Sequence, residues 1–182
     1  MNRLIRSCAL LLGVWVSLMM WFPQTHIAAA APSSAHPSAL TRCYTSQLSI
    51  SPDSSNSGMG HVGFYFRVHN ASARACTLFG YPGVQLLNRQ GRSLHTVLHW
   101  GVGYLSGNQA RRMVYLRPGR NAFFFLEWVH FPSPGQTCPS APAVLITPPN
   151  TYRSIRVQMS PGVITACGGV VNAGPVEPSR LP

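Results

Sequence analysis

The stretch Cys76-Thr-Leu-Phe-Gly-Tyr-Pro-Gly-Val84 decides how this chain of 182 residues folds. A cysteine and a short apolar run lead into a Pro-Gly pair, and the strand-like run 84–87 follows at once. Proline presets the second position of a β-turn, and glycine accepts the positive φ of the third position in a type II turn. The pattern therefore predicts a tight corner at Pro82-Gly83, which Cys76 ties to another part of the chain.

Short strands and frequent Gly/Pro breaks continue on both sides of this corner. Residues 61–69 alternate apolar and polar side chains, which is typical of a half-buried antiparallel strand. Residues 121–131 are the most apolar segment, and we expect them at the centre of a sheet. Residues 51–58 are predicted to be a loop, and no strand is predicted beyond Cys167. Further strands are predicted at 44–50, 84–87, 93–100, 113–116, 143–147 and 152–159.

Three pairs of these segments are expected to form hairpins: 44–50 with 61–69, 84–87 with 93–100, and 143–147 with 152–159. No segment shows a convincing helical period. About eight short strands with regular turn signals predict an all-β fold, and more specifically an antiparallel two-sheet sandwich of the immunoglobulin-like type.

The N-terminal segment is predicted to be an export signal. Arg3 and Arg6 precede the apolar run 8–22, and the small-residue run that ends at Ala30 is a suitable cleavage site. An uncleaved anchor is the alternative, although the run is shorter than the roughly 20 residues of a membrane span. The chain then divides into a signal peptide at 1–30, a Pro/Ser/Ala linker at 31–42, a β domain at 43–176 and a flexible tail at 177–182. We expect a secreted or cell-surface monomer without a membrane span once the signal is removed.

The β domain keeps four cysteines. An even number in an exported chain predicts disulfides, for which three connectivities exist, and no C-x-x-C pair indicates a zinc or redox site. The expected hairpins bring the first two of these cysteines close together, and likewise the last two. We therefore expect Cys43–Cys76 and Cys138–Cys167, each contributing roughly 3–4 kcal/mol by constraining the unfolded chain.

All fourteen basic residues are arginine, whereas only Asp53, Glu127 and Glu177 are acidic. Without the signal, twelve arginines face three carboxylates, which gives a formal charge of +9. Such a field attracts anionic polymers and lipid head groups, but a compositional preference for arginine would produce the same charge, and the sequence leaves both explanations open. No nucleic-acid-binding motif is present. Few carboxylates also predict tolerance of low pH.

Several blocks of this sequence follow one another in the order of a known family pattern. They are Gly60-His61, Asn70, Cys76-x-Leu78-x-Gly80-Tyr81-Pro82-Gly83-Val84, Leu116-x-Pro118-Gly119-x-x-Ala122, Trp128, Cys138, Leu145-x-Thr147-Pro148-Pro149 and Cys167. With these blocks the chain resembles a secreted bacterial family, the domain of unknown function 4232, over residues 43–176. The resemblance implies an exported β domain of the cell envelope and carries no catalytic residue with it. The absence of a lipid-attachment motif favours free secretion over tethering.

The sequence offers little for catalysis. It has no G-x-S-x-G motif, and Glu127 is expected on the outward face of its strand beside an arginine rather than as a catalytic acid. The histidines have no ligand spacing, so we expect no metal site and no cofactor. His61, which belongs to the family-like Gly-His pair, is expected to hydrogen-bond loop backbone. We interpret the protein as a non-enzyme.

The loop 101–109 and its flanks carry the binding hypothesis. Trp100 and Tyr104 are expected to form an aromatic contact platform, although Trp100 would alternatively cap the core. The basic residues expected beside the platform are Arg111, Arg112, Arg117 and Arg120. We predict an exported interaction or structural domain that binds an envelope protein or an anionic polymer. A carbohydrate-recognition module is the alternative, and a secreted hydrolase is the weakest of the three.

Overall fold

The computed structural model describes residues 41–160 and 162–180, which form ten β-strands and two short 3-10 helices. The helices are Thr45–Gln47 and Cys167–Gly169. The strands are β1 (Leu48–Gly58), β2 (His61–Asn70), β3 (Cys76–Phe79), β4 (Gly83–Leu87), β5 (Val97–Trp100), β6 (Met113–Leu116), β7 (Asn121–Val129), β8 (Ala143–Thr147), β9 (Ile155–Gln158) and β10 (Val170–Ala173).

Hydrogen bonding divides these strands among three sheets, with orders β1-β2-β7-β10-β5, β3-β6 and β4-β8-β9. All pairs are antiparallel except β5 with β10, which run parallel. The all-β class is confirmed, and the immunoglobulin-like two-sheet sandwich stays a prediction because three sheets are paired. The predicted signal peptide and nearly all of the predicted linker lie outside the described residues. Within 41–160 and 162–180, no helix is long and apolar enough to cross a membrane.

The core forms where β2 and β7 pair across nine successive positions, from His61 opposite Val129 to His69 opposite Asn121. The alternating apolar side chains of β2 face inward as predicted, with Phe66 fully buried and stacked 5.1 Å from the ring of Phe124. The predicted central position of the 121–131 segment is confirmed, because β7 has β2 on one side and β10 on the other.

β7 is buried on both of its faces. Ala122, Phe124, Leu126 and Trp128 enter the main core, and the opposite side contains Phe125 and Glu127, which are also buried. A strand covered on both sides has a nearly continuous apolar sequence instead of an alternating one. This double burial explains why the segment 121–129 is so apolar, and it determines the environment of Glu127.

Three strand predictions need correction. Residues 51–58 are not a loop, because β1 continues through Gly58 with a bulge between Pro52 and Ser54. Residues 93–100 do not form a full hairpin with 84–87: only Ser93 bridges Leu87, while β5 pairs with β10. The segment beyond Cys167 contains β10. In each case long-range pairing orders polar or Gly-rich residues that have weak local strand preference.

The stretch 76–84 differs from its prediction in the position of the turn glycine. Gly83 begins β4, and it is Gly80 that adopts a left-handed φ of 104°. A glycine is needed there because a side chain strongly disfavours that conformation. Cys76 is joined to Cys43, and Cys138 is joined to Cys167, so both expected disulfides are confirmed. Disulfides of this kind are typical of proteins in oxidising compartments.

Candidate functional site

The small β3–β6 sheet exposes one face of alternating side chains. Its register places Thr77 opposite Tyr115 and Phe79 opposite Met113, and directly paired residues project from the same side of a sheet. Arg42 extends this face because it bridges Thr77 from the other edge. The alternate residues of β3 and β6 enter the core, so the sheet has one buried side and one exposed side.

Arginines lie on the aromatic rings of this face. The Arg111 guanidinium is 5.6 Å from the centre of the Phe79 ring and 5.9 Å from that of Tyr81. The Arg117 guanidinium is 5.8 Å from the centre of the Tyr115 ring. Cation–π contact of this kind holds the charged group over an apolar surface while its N–H donors stay available to a ligand.

Trp100 completes the surface through Tyr81. The two rings are nearly parallel with centres 6.0 Å apart, and the indole N–H donates a 3.0 Å hydrogen bond to the Pro82 carbonyl oxygen. Trp100 nevertheless remains 62% exposed, so it does not cap the core. We call this surface the arginine–aromatic face. It consists of Arg42, Thr77, Phe79, Tyr81, Trp100, Arg111, Met113, Tyr115 and Arg117.

The structure brings three of the six predicted binding residues together and separates the others. Trp100, Arg111 and Arg117 belong to the arginine–aromatic face. The remaining three have other neighbours: Tyr104 stacks on His61 with ring centres 4.4 Å apart, Arg112 pairs with Glu177 at 3.1 Å, and Arg120 lies exposed in the β6–β7 turn. Trp100 therefore has Tyr81 as its aromatic partner rather than Tyr104.

All three carboxylates are withdrawn from the surface. The side chains of Asp53 and Glu177 are each 10% exposed and that of Glu127 is fully buried. Their partners are Arg67 and Arg180 for Asp53, Arg112 for Glu177, and backbone N–H groups for Glu127. The described surface therefore presents arginines with almost no exposed carboxylate to neutralise them.

Glu127 holds the loop that follows β5. Its carboxylate accepts hydrogen bonds from the backbone N–H groups of Tyr104 at 2.5 Å, Leu105 at 2.9 Å and Ser106 at 3.2 Å. The prediction of an outward-facing glutamate beside an arginine is wrong, because this loop covers that side of β7. Charge-assisted hydrogen bonds offset the cost of burying the carboxylate.

His61 lies beside this carboxylate, with Nδ1 at 3.8 Å from Glu127 Oε1. The expected hydrogen bond from His61 to loop backbone is not made through Nδ1, which is buried without a hydrogen-bond partner. Instead the ring is held by its stacking on Tyr104. Within the described ranges no group of three or more His, Cys, Asp or Glu side chains converges as metal ligands do.

Sequence reasoning missed the other six residues of the face, namely Arg42, Thr77, Phe79, Tyr81, Met113 and Tyr115. A usable signal was present in Met113-Val-Tyr-Leu116, where large side chains alternate with core residues and one face must be exposed. What the sequence does not contain is the pairing of β3 with β6, two strands whose closest paired positions, Phe79 and Met113, are 34 residues apart in the chain. The face is a product of that long-range pairing.

No curated protein and no solved structure matches the chain. A model of one protein family, described as a domain of unknown function, matches residues 43–177, which is nearly the whole of the described region. The resemblance noted in the sequence is thereby confirmed, and the chain belongs to the family of the domain of unknown function DUF4232.

Proposed function

We propose that this protein is an exported, non-enzymatic domain that binds an anionic polymer of the cell envelope through its arginine–aromatic face. The observation that carries the proposal is the distribution of charge. The three carboxylates are engaged inside the fold, while Arg42, Arg111 and Arg117 lie at a face that contains no carboxylate. A field of one sign over such a face attracts an extended chain of opposite charge.

The aromatic rings under the guanidinium groups support the same function. They supply a flat apolar surface on which polymer rings would pack, and they restrict the arginine side chains before a ligand arrives. The guanidinium groups would therefore already be in position when the partner binds. A protein partner with an acidic surface is an alternative outcome of the test below.

The test compares dextran sulfate with dextran, because these two polymers share a backbone and differ in charge. The oxidised protein should be retained by dextran sulfate at low salt, should elute as salt rises, and should pass through dextran. The double variant Arg111→Gln/Arg117→Gln should bind at least about tenfold more weakly, since two charge-assisted contacts are lost.

The matched control is Arg89→Gln/Arg92→Gln, which removes the same charge from two exposed arginines in the β4–β5 connection. It should weaken binding by no more than about threefold. Equal losses in the two double variants would show that net charge acts without the face. Failure of the protein to bind dextran sulfate at low salt would reject the binding of an anionic polymer.

A second candidate function is recognition of a neutral carbohydrate, and the exposed Tyr81–Trp100 stack favours it. The indole is held by its bond to the Pro82 carbonyl oxygen, so a sugar ring would meet a fixed surface. In this case binding to dextran would be insensitive to salt and would disappear in Trp100→Ala.

The cellular location is part of the same proposal. Both disulfides indicate an oxidising compartment, and the basic and apolar start of the chain is typical of an export signal. N-terminal sequencing of the secreted protein should give Ala31 as the first residue. A protein retained in cells with residues 1–30 still attached would show an anchor instead.

A further inference from the structure

A second feature lies at the edge of the arginine–aromatic face. Residues 42–46 and 150–154 enclose an open cleft with a volume of about 480 Å³. Sites for small molecules in proteins usually have volumes of roughly 300–1,000 Å³. The side of the cleft that contains Arg42 also belongs to the arginine–aromatic face, so the two surfaces are continuous.

The walls of the cleft are held in place by hydrogen bonds. The Thr45 hydroxyl donates to the Arg153 carbonyl oxygen at 3.0 Å, which joins the two walls. The Asn150 side-chain amide donates to the Phe79 carbonyl oxygen at 3.3 Å, which joins the turn to the small sheet. A site whose backbone is already fixed loses less entropy when a ligand binds.

The cleft presents two cations and two aromatic rings to solvent. Its lining residues include two arginines, Arg42 and Arg153, and no carboxylate. The Arg42 guanidinium lies 5.6 Å from the centre of the Tyr44 ring, and Tyr152, which also lines the cleft, is 95% exposed. A guanidinium fork matches a carboxylate or a phosphate, while a phenol ring packs against the apolar face of a sugar.

We propose that this cleft binds one hexose unit that carries an anionic group, and that it is the subsite where the polymer is recognised unit by unit. The inference rests on the proposed function, since the face supplies the attraction for a long chain and the cleft selects the chemistry of one ring. The anionic group would meet Arg42 and Arg153, and the sugar ring would lie against Tyr44 or Tyr152.

The experiment titrates the oxidised protein with three probes that differ mainly at carbon 6: glucuronate, glucose 6-phosphate and glucose. Backbone amide resonances are followed by NMR. We expect the amides of residues 42–46 and 150–154 to shift and saturate with an anionic probe, and glucose to bind at least about tenfold more weakly. The preference between glucuronate and glucose 6-phosphate identifies the anionic group.

The variant Arg153→Gln should weaken the anionic probe about tenfold, and Tyr152→Ala should weaken both the anionic probe and glucose. Arg89→Gln, which removes an exposed arginine far along the chain from the cleft residues, should leave binding unchanged. Both Arg153 and Tyr152 are exposed, and unchanged resonances outside the cleft would show that the variants keep the fold.

Equal affinity for glucose and glucuronate, or shifts confined to residues outside the cleft, would overturn the assignment. If dextran sulfate binds through the arginine–aromatic face while no monosaccharide enters the cleft, the proposed function stands and the subsite is wrong. If glucuronate binds the cleft and dextran sulfate is not retained, polymer binding is wrong and the cleft is a small-molecule site.

Discussion

Two sheet surfaces in this domain point away from the main core. One is covered by a loop, and the other is exposed to solvent. The outer side of β7 is covered by the loop 101–109, and it buries Phe125 and Glu127. The outer side of β3 and β6 is uncovered, and it exposes rings with arginines above them. Whether a loop covers a sheet face therefore decides what its charged residues do. Under a loop, Glu127 bonds the backbone of the fold; on the open face, the arginines stay accessible to a ligand.

The largest effect on stability should come from the covered face. Glu127→Ala removes the acceptor for three part-buried backbone N–H groups, and a donor left without a partner away from water costs about 1–3 kcal/mol. We expect the free energy of unfolding to fall by roughly 3–5 kcal/mol in urea denaturation. Amide exchange should accelerate in residues 101–109 before other regions.

Glu127→Gln is the matched variant, since it keeps the side-chain size and one acceptor oxygen. Its loss should be about half as large, because neutral hydrogen bonds are weaker than charge-assisted ones. A loss below about 1 kcal/mol for Glu127→Ala would mean that water replaces the carboxylate and that the loop does not depend on it.

The next effect tests how tightly the same face is packed. Gly63 lies opposite Glu127 in the β2–β7 register, and an added Cβ there would overlap the Phe125 ring and lie 3.0 Å from the Leu126 carbonyl oxygen. Gly63→Ala should cost about 1–3 kcal/mol by overpacking. Denaturant midpoints of the purified variants provide the measurement.

Gly58→Ala is the control for that substitution. Its added Cβ would meet only Leu105 Cδ2 at 3.6 Å, which is an ordinary contact distance. The two variants make the same chemical change in neighbouring strands, and only the first should destabilise the domain appreciably. Equal stabilities would show that the Phe125 ring moves aside and that the covered face is loosely packed.

The covered face of β7 also shows which structural features can be predicted from the sequence. The run Phe123-Phe-Phe-Leu-Glu-Trp128 contains enough apolar residues to predict a central strand, and that prediction is confirmed. The burial of Glu127 was not predicted, because it depends on a Gly-rich loop whose position is set by the β5–β10 pairing. A single carboxylate in an apolar strand was the available signal, and only the tertiary neighbours distinguish an outward from a buried side chain.

The disulfides and the arginine–aromatic face give a similar contrast. Cys43–Cys76 and Cys138–Cys167 were predicted because each bond closes a segment whose hairpin is encoded locally. The grouping of Trp100 with Tyr81, rather than with Tyr104, was not predictable from their positions in the chain. Rings four residues apart in a loop need not meet, whereas strands distant in sequence meet at every paired position.

A pH-dependent effect on stability is expected from Glu177. Burial raises the pKa of Glu177 from its ordinary value of 4.5, and the Arg112 guanidinium partly opposes this. Protonation of Glu177 therefore favours the folded state. Its contribution is fully present below the pKa of the unfolded chain and is lost as pH rises through the higher pKa of the folded protein.

The stability of the native protein relative to Glu177→Gln should consequently increase as pH falls from 7 toward about 4.5. Urea unfolding of both proteins across this range provides the difference directly. Arg112→Gln should enlarge the increase, because the charge that opposes the shift is removed. A difference that is constant with pH, or that decreases toward low pH, would contradict the raised pKa.

The smallest effect on stability is expected at the uncovered face. Tyr115 is 48% exposed and Arg111 is exposed, so Tyr115→Ser and Arg111→Gln should each change the free energy of unfolding by no more than about 0.5 kcal/mol. The same variants should weaken retention on dextran sulfate. The contradicting result is that either variant destabilises the domain as much as Gly63→Ala. In that case the rings and arginines of this face stabilise the fold, as Glu127 does, and ligand binding is not their main role.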